Sequence, residues 1–177
     1  MLDYFGMTLE QLFAVKDKQA WLAFERGELR EQDMRARYFA DGRALDLEGL
    51  RACMRAHYRL LPGVEELLAA LRAAGVEMHA LSNYPVWFEM IEARLGLSRY
   101  LNWSFVSCRT GVRKPDPEAF LGAARALGVA PARCLFVDDR EKNCAGARAV
   151  GMPAHRFDGA EGLRAELRRR GLLGHEM

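Results

Sequence analysis

The chain has 177 residues (20.0 kDa), half of them apolar and 28% charged, with a net charge of +2. That length allows one domain with at most a small appendage, and the apolar share excludes a disordered chain. No apolar run approaches the roughly 20 residues of a membrane helix, the first residues show no secretory signal, and so small a positive charge does not make a nucleic-acid groove.

The first 60 residues carry helical signals only. Thr8 to Gln11 reads as a capping box opening a segment with Leu9, Leu12 and Phe13. A second segment holds Trp21 and Phe24 and stops near Gly27; Asp33 to Tyr38 is a short third. Leu50, Met54, Tyr58 and Leu61 recur at helical spacing, which predicts a fourth helix over 47–60. Pro62-Gly63 marks a boundary, so residues 1–60 are read as a helical domain and 61–177 as a second domain. There the pattern alternates. A helix from Val64 to Gly75 leads to a strand over Val76–Leu81, and Pro85 starts a helix through Leu95. Trp103–Ser107 is a strand, Pro117–Leu127 a helix, and Cys134–Val137 a nearly all-apolar strand. Asn143–Val150, Pro153–Phe157 and Ala160–Arg170 complete the series as helix, strand and helix. Strand–helix alternation with short loops predicts an α/β fold with a parallel sheet.

The four cysteines form no C-x-x-C pair and read as reduced residues in a reducing compartment. His57, His79, His155 and His175 are scattered, without metal-ligand spacing. Arg164 and Arg168–Arg170 read as a solvated helix face, with an anion patch as the alternative.

Ligands of open parallel sheets sit beyond the carboxyl ends of the strands. There the first strand runs into Ser82-Asn83-Tyr84-Pro85, a hydroxyl and an amide ahead of a helix whose N-terminus offers N–H groups to an anion; an ordinary helix cap is the alternative. The third strand ends in Asp138-Asp139. Adjacent buried carboxylates require a cation or strong hydrogen bonds, and such oxygen-rich sites suit Mg²⁺, with Asn143 one helical turn on as a further oxygen; a double helix cap is the alternative. Between them Pro115, Asp116 and Pro117 hold Lys114 on a stiff loop just ahead of a helix.

Hydroxyl, lysine and acidic pair, in that order after successive strands, resemble the haloacid dehalogenase superfamily of hydrolases. Leu81-Ser82-Asn83 resembles its second motif, Arg113-Lys114-Pro115 its third, and Val137-Asp138-Asp139 with Asn143 its fourth. Residues 1–60 resemble its first-type helical cap. The stretches Asn83–Trp87, Lys114–Glu118, Trp21–Gly27 and Asp41–Arg43 are similar to the plant and algal chloroplast flavin mononucleotide hydrolase branch. The resemblance implies a Rossmann-like core and a Mg²⁺-dependent phosphate monoester hydrolase acting through an aspartyl phosphate on a small phosphorylated metabolite. It implies that Ser82, Asn83 and Lys114 bind the phosphoryl group and that Asp138, Asp139 and Asn143 hold Mg²⁺. Trp21, Phe24, Tyr84, Trp87 and Phe88 are rings that could stack on an aromatic substrate, or fill the joint between cap and core. For a plant or alga the branch implies the plastid stroma, otherwise the cytoplasm.

The family's nucleophile motif, D-x-D-x-T at the end of a first strand, is not found. Asp3-Tyr4-Phe5-Gly6-Met7-Thr8 mimics it with the spacing one residue too long and no strand ahead of it. The expectation is a family member without its first strand, which by resemblance is the central one, leaving a slot between the strands ending at Leu81 and Val137. This chain alone is then expected to be inactive. Two alternatives stand beside this reading. Haloacid dehalogenation is disfavoured, because that branch lacks the acidic pair. A non-catalytic scaffold is the other.

Overall fold

Thr8 closes the expected capping box: its hydroxyl accepts the Gln11 N–H while the Gln11 side chain accepts the Thr8 N–H. In the computed structural model, which describes residues 2–174, α1 (Leu2–Phe5) precedes this cap and α2 (Leu9–Val15) follows it. Residues 2–5 are thus helical rather than strand; His175 lies outside the described residues. Then come α3 (Lys18–Glu25), α4 (Glu31–Arg37) and α5 (Leu47–His57). Asp17 caps α3 and Asp46 caps α5, each through its carboxylate. One extended contact interrupts the helices, an antiparallel bridge between Lys16 and Phe39 that the sequence reading did not anticipate.

The later elements are α6 (Val64–Ala73), β1 (His79–Ser82), α7 (Phe88–Leu95), β2 (Asn102–Val106), α8 (Ser107–Thr110), α9 (Pro117–Ala126), β3 (Phe136–Asp138), α10 (Glu141–Ala149), β4 (Ala154–Arg156) and α11 (Ala160–Arg169). The alternation follows the expected order, with strands of three to five residues. They form two separate two-stranded sheets, β1 with β2 and β3 with β4. The β3/β4 pair is parallel, in the register Phe136 to Ala154, Val137 to His155 and Asp138 to Arg156.

The chain divides into two compact units. The first comprises Met1–Arg59 with Asn83–Gly96 and Val106–Gly111, so it takes in α7 and α8 besides the first 59 residues. Its core is aromatic: Phe24, Tyr38 and Trp87 are buried with Leu12, Met34 and Leu50, and the Phe24 and Trp87 rings meet edge-to-face at 5.2 Å. The second unit comprises Leu60–Ser82, Leu97–Phe105 and Val112–Met177. Phe120, Ala124, Phe136, Cys144, Ala147 and Met152 form one of its cores, and Leu67, Leu71 and Leu167, from α6 and α11, another. Of the terminal arginines, Arg169 and Arg170 both donate to Glu166, which fits a solvated, ion-paired face. The four cysteines are free thiols, only Cys144 fully buried. No described helix is long and apolar enough to cross a membrane.

Candidate active site

β3 ends by placing Asp138 where three donors converge. Lys114 Nζ reaches Asp138 Oδ2 at 2.6 Å, while Oδ1 accepts the Arg140 N–H at 2.8 Å and Asn143 Nδ2 at 2.9 Å. The two charged side chains are 10% and 6% exposed, so the pair is shielded from solvent and counter-ions. Burial alone would push the Asp138 carboxyl up. The hydrogen bonds from Lys114, Arg140 and Asn143 and the charge of Lys114 outweigh it and hold the carboxyl below its ordinary value.

The same ammonium donates to the Leu81 carbonyl, also at 2.6 Å. Lys114 therefore joins the carboxyl end of β1 to that of β3, and Ser82 is the residue after the carbonyl it holds. The loop carrying it is mounted as expected: Asp116 caps α9 by accepting the Glu118 N–H at 2.9 Å, and Pro117 opens the helix. The Lys114-Pro115 peptide is cis. A residue missed from sequence completes the mount. A Cβ on Gly146, in α10, would stand 2.9 Å from the Pro115 carbonyl oxygen and 3.0 Å from its Cβ. Only a glycine lets α10 pass this close to the loop.

Ser82, Lys114, Asp138, Asp139 and Asn143 thus belong to one unit, at the carboxyl ends of its strands or on the loops and first helical turn beyond them. Asp139 is exposed, outside the network that engages Asp138. Asn83 opens the segment that belongs to the first unit. The expected helix N-terminus beside Ser82-Asn83 is corrected: α7 begins only at Phe88, after a turn at Val86-Trp87, and the Phe88 and Glu89 N–H groups donate to the Pro85 and Val86 carbonyls. Those amides are occupied and offer an anion nothing. Among the five rings, Phe24, Trp87 and Phe88 are buried at 2–3% exposure, whereas Trp21 and Tyr84 keep part of their surface. The Trp87 indole N–H is held by Glu31, and the Tyr84 hydroxyl by that of Tyr58 at 2.8 Å.

Among the described residues no three His, Cys, Asp or Glu side chains are grouped to enclose a metal. The donor set is instead an adjacent carboxylate pair with one member engaged. That fits Mg²⁺, which keeps several waters and takes one or two carboxylates together with substrate oxygens.

The profile of the haloacid dehalogenase-like hydrolases matches residues 8–151. The chain belongs to that family. Among curated relatives it is 45% identical over 164 residues to the chloroplastic flavin mononucleotide hydrolase 1 of Arabidopsis thaliana, covering 93% of this chain and 67% of that protein. It is 32% identical over 109 residues to a phosphoglycolate phosphatase of Xanthomonas campestris, covering 61% of this chain and 49% of the relative. Solved structures of the family share the fold. A predicted HAD-like hydrolase from Porphyromonas gingivalis superposes with a TM-score of 0.73 over 94% of this chain and 86% of its own, at 20% identity. A HAD family enzyme of Bacteroides thetaiotaomicron, solved with magnesium and inorganic phosphate, gives 0.68 over 88% and 83%, also at 20% identity.

Proposed function

We propose that this hydrolase is a Mg²⁺-dependent phosphate monoesterase of small phosphorylated metabolites, with flavin mononucleotide as its first candidate substrate. The observation that carries the reading is the seat of Lys114, a nearly buried ammonium fixed at the carboxyl ends of β1 and β3 by Leu81 O and Asp138 Oδ2. A cation held in place beforehand stabilises charge on a phosphoryl group without having to reorganise during the reaction. The identity to the Arabidopsis flavin mononucleotide hydrolase supports the substrate class.

In this reading Lys114 neutralises the phosphoryl oxygens, and Ser82, with Asn83, orients them through hydrogen bonds. Asp139 is the carboxylate for Mg²⁺, since Asp138 is engaged by three donors. Bound Mg²⁺ would supply further charge neutralisation and hold the phosphoryl oxygens in line. The nucleophile is an aspartate, and the reading requires a D-x-D-x-T strand seated between β1 and β3, because residues 2–5 form a helix.

The test is phosphate release from flavin mononucleotide and from p-nitrophenyl phosphate by the chain when such a strand is supplied to it. Turnover should stop with EDTA. Lys114→Ala and Asp139→Asn should each lower kcat at least about 10²-fold, while Arg113→Ala stays near wild type. Full turnover in EDTA, or by Lys114→Ala, would refute the assignment. The 177-residue chain is expected to show none.

A further inference from the structure

We propose that Asn143 is a positioning residue for Lys114, acting through Asp138, and not a ligand of the metal. Asn143 lies in the first turn of α10 and is 7% exposed. Its Nδ2 stands 2.9 Å from Asp138 Oδ1, the oxygen that also accepts the Arg140 N–H. An ionised carboxylate only accepts, so the Asn143 amide must turn its NH₂ toward Asp138. Two donors on Oδ1 fix the plane of the carboxylate, which fixes Oδ2.

Lysine sits on a flexible four-carbon stem, and its acceptors rather than its stem decide where the ammonium points. Two acceptors are seen here, from two different strands: Leu81 O belongs to the backbone of β1, and Asp138 Oδ2 is the one that can rotate. Stopping that rotation is the work the Asn143 amide does. The Phe136 ring lies 5.1 Å from Nζ, offering the ammonium a face but no hydrogen-bond direction. Asparagine suits this task where aspartate does not: a carboxylate at 143 would face Asp138 with like charge and no donor. The charge it adds would favour a cation but disorder the lysine.

The inference uses the phosphate monoesterase reading only for its activity arm, and the experiment separates the two. The chain contains four lysines, so ¹⁵N-lysine labelling gives at most four side-chain ammonium signals, that of Lys114 assigned by its loss in Lys114→Arg. In Asn143→Ala and in the isosteric Asn143→Asp, the Lys114 ammonium signal is expected to broaden or vanish while the other lysines and the backbone spectrum persist. Should Asn143→Ala fail to fold, Asn143→Ser carries the same readout, keeping a donor without the reach. In the active protein, Asn143→Ala and Asn143→Asp should each lower kcat about tenfold with the Mg²⁺ activation constant unchanged. A metal ligand behaves otherwise: Asn143→Ala would weaken Mg²⁺ activation and Asn143→Asp would preserve it, and that pattern overturns the proposal. So does an unchanged Lys114 signal in Asn143→Ala. If no phosphate monoester is hydrolysed, the function is wrong and the ammonium signal still decides the role of Asn143.

Discussion

The Ser107 hydroxyl donates to the Glu25 carbonyl at 2.5 Å and accepts the Tyr84 N–H at 3.0 Å. One side chain, 1% exposed, thereby ties the end of α3 and the segment after β1 to the start of α8. The approach is tight: a Cβ on Gly27, whose φ is +74°, would stand 2.2 Å from the Cys108 carbonyl oxygen. Ser107→Ala leaves a buried donor and acceptor without their partner and should cost about 1–3 kcal/mol. Urea denaturation monitored by tryptophan fluorescence measures it; a change below about 0.5 kcal/mol would mean that the hydroxyl is replaceable.

Removing Lys114 strands a shielded carboxylate. Lys114→Met should destabilise the protein by about 3–5 kcal/mol at neutral pH. The sign of the pH dependence follows from Asp138, whose folded carboxyl lies below its unfolded value of about 3.9. A depressed carboxylate contributes its stability in full above the unfolded value and loses it as pH falls through the folded one. The gap between wild type and Lys114→Met should therefore be full at neutral pH and shrink as pH falls toward about 3, where the carboxyl is protonated in both proteins. A gap that stays constant down to pH 3 would show that Asp138 is not the group lost.

Lys16 presents the opposite case. Its ammonium lies 3.5 Å from the Trp21 ring centroid and 4.9 Å from that of Tyr38. Burial lowers its pKa to about 8, with Glu25 pulling it partly back. Between about pH 8 and the unfolded value near 10.4 the unfolded chain binds more protons, so stability from this group rises with pH. Lys16→Met should gain about 1–2 kcal/mol at pH 7, after allowing for the lost cation–π contact, and the gain should disappear near pH 10.5. Stability curves of both proteins at pH 7 and 10 test this directly.

Two glycines of neighbouring helices should respond differently to alanine. At Gly122 the added Cβ meets the flexible end of Glu118 at 3.2 Å, and helix propensity favours alanine by up to about 1 kcal/mol. At Gly146 it meets the Pro115 backbone and comes within 3.1 Å of the Phe120 ring, so the loop carrying Lys114 must move. Gly146→Ala should lose about 1–3 kcal/mol and Gly122→Ala none. Equal urea midpoints for the two variants would contradict the close approach.

The alternation from Val64 to Arg169 was legible because helix ends are punctuated by Gly75, Gly128 and Gly151 and Cys134–Val137 is a nearly all-apolar run. The separation into two strand pairs could be anticipated only from the family resemblance, since strand order is not written in periodicity. Asp138 and Asp139 could be read as a pair but not as unequal partners. Asp138 ends β3 and Asp139 lies just beyond it, and only the fold reveals which of them meets Lys114. The start of α7 was misplaced because Pro85 suits a first helical turn, yet Pro85 and Trp87 are both buried before the helix begins. Ser107 gave no signal: a serine at a strand end is ordinary until three segments converge on it.

A sheet divided into two pairs has a consequence for amide exchange. A lone strand pair is marginally stable in water, so each pair here relies on the helices packed against it. Phe136 is locked among Phe120, Cys144 and Ala147, whereas all four residues of β1 are only half-buried. The β3/β4 amides should therefore exchange with deuterium only through large openings, and those of β1 through smaller, more frequent ones. Protection would then grade across the molecule in two steps, with Lys114 standing where the slow-exchanging region meets the fast one.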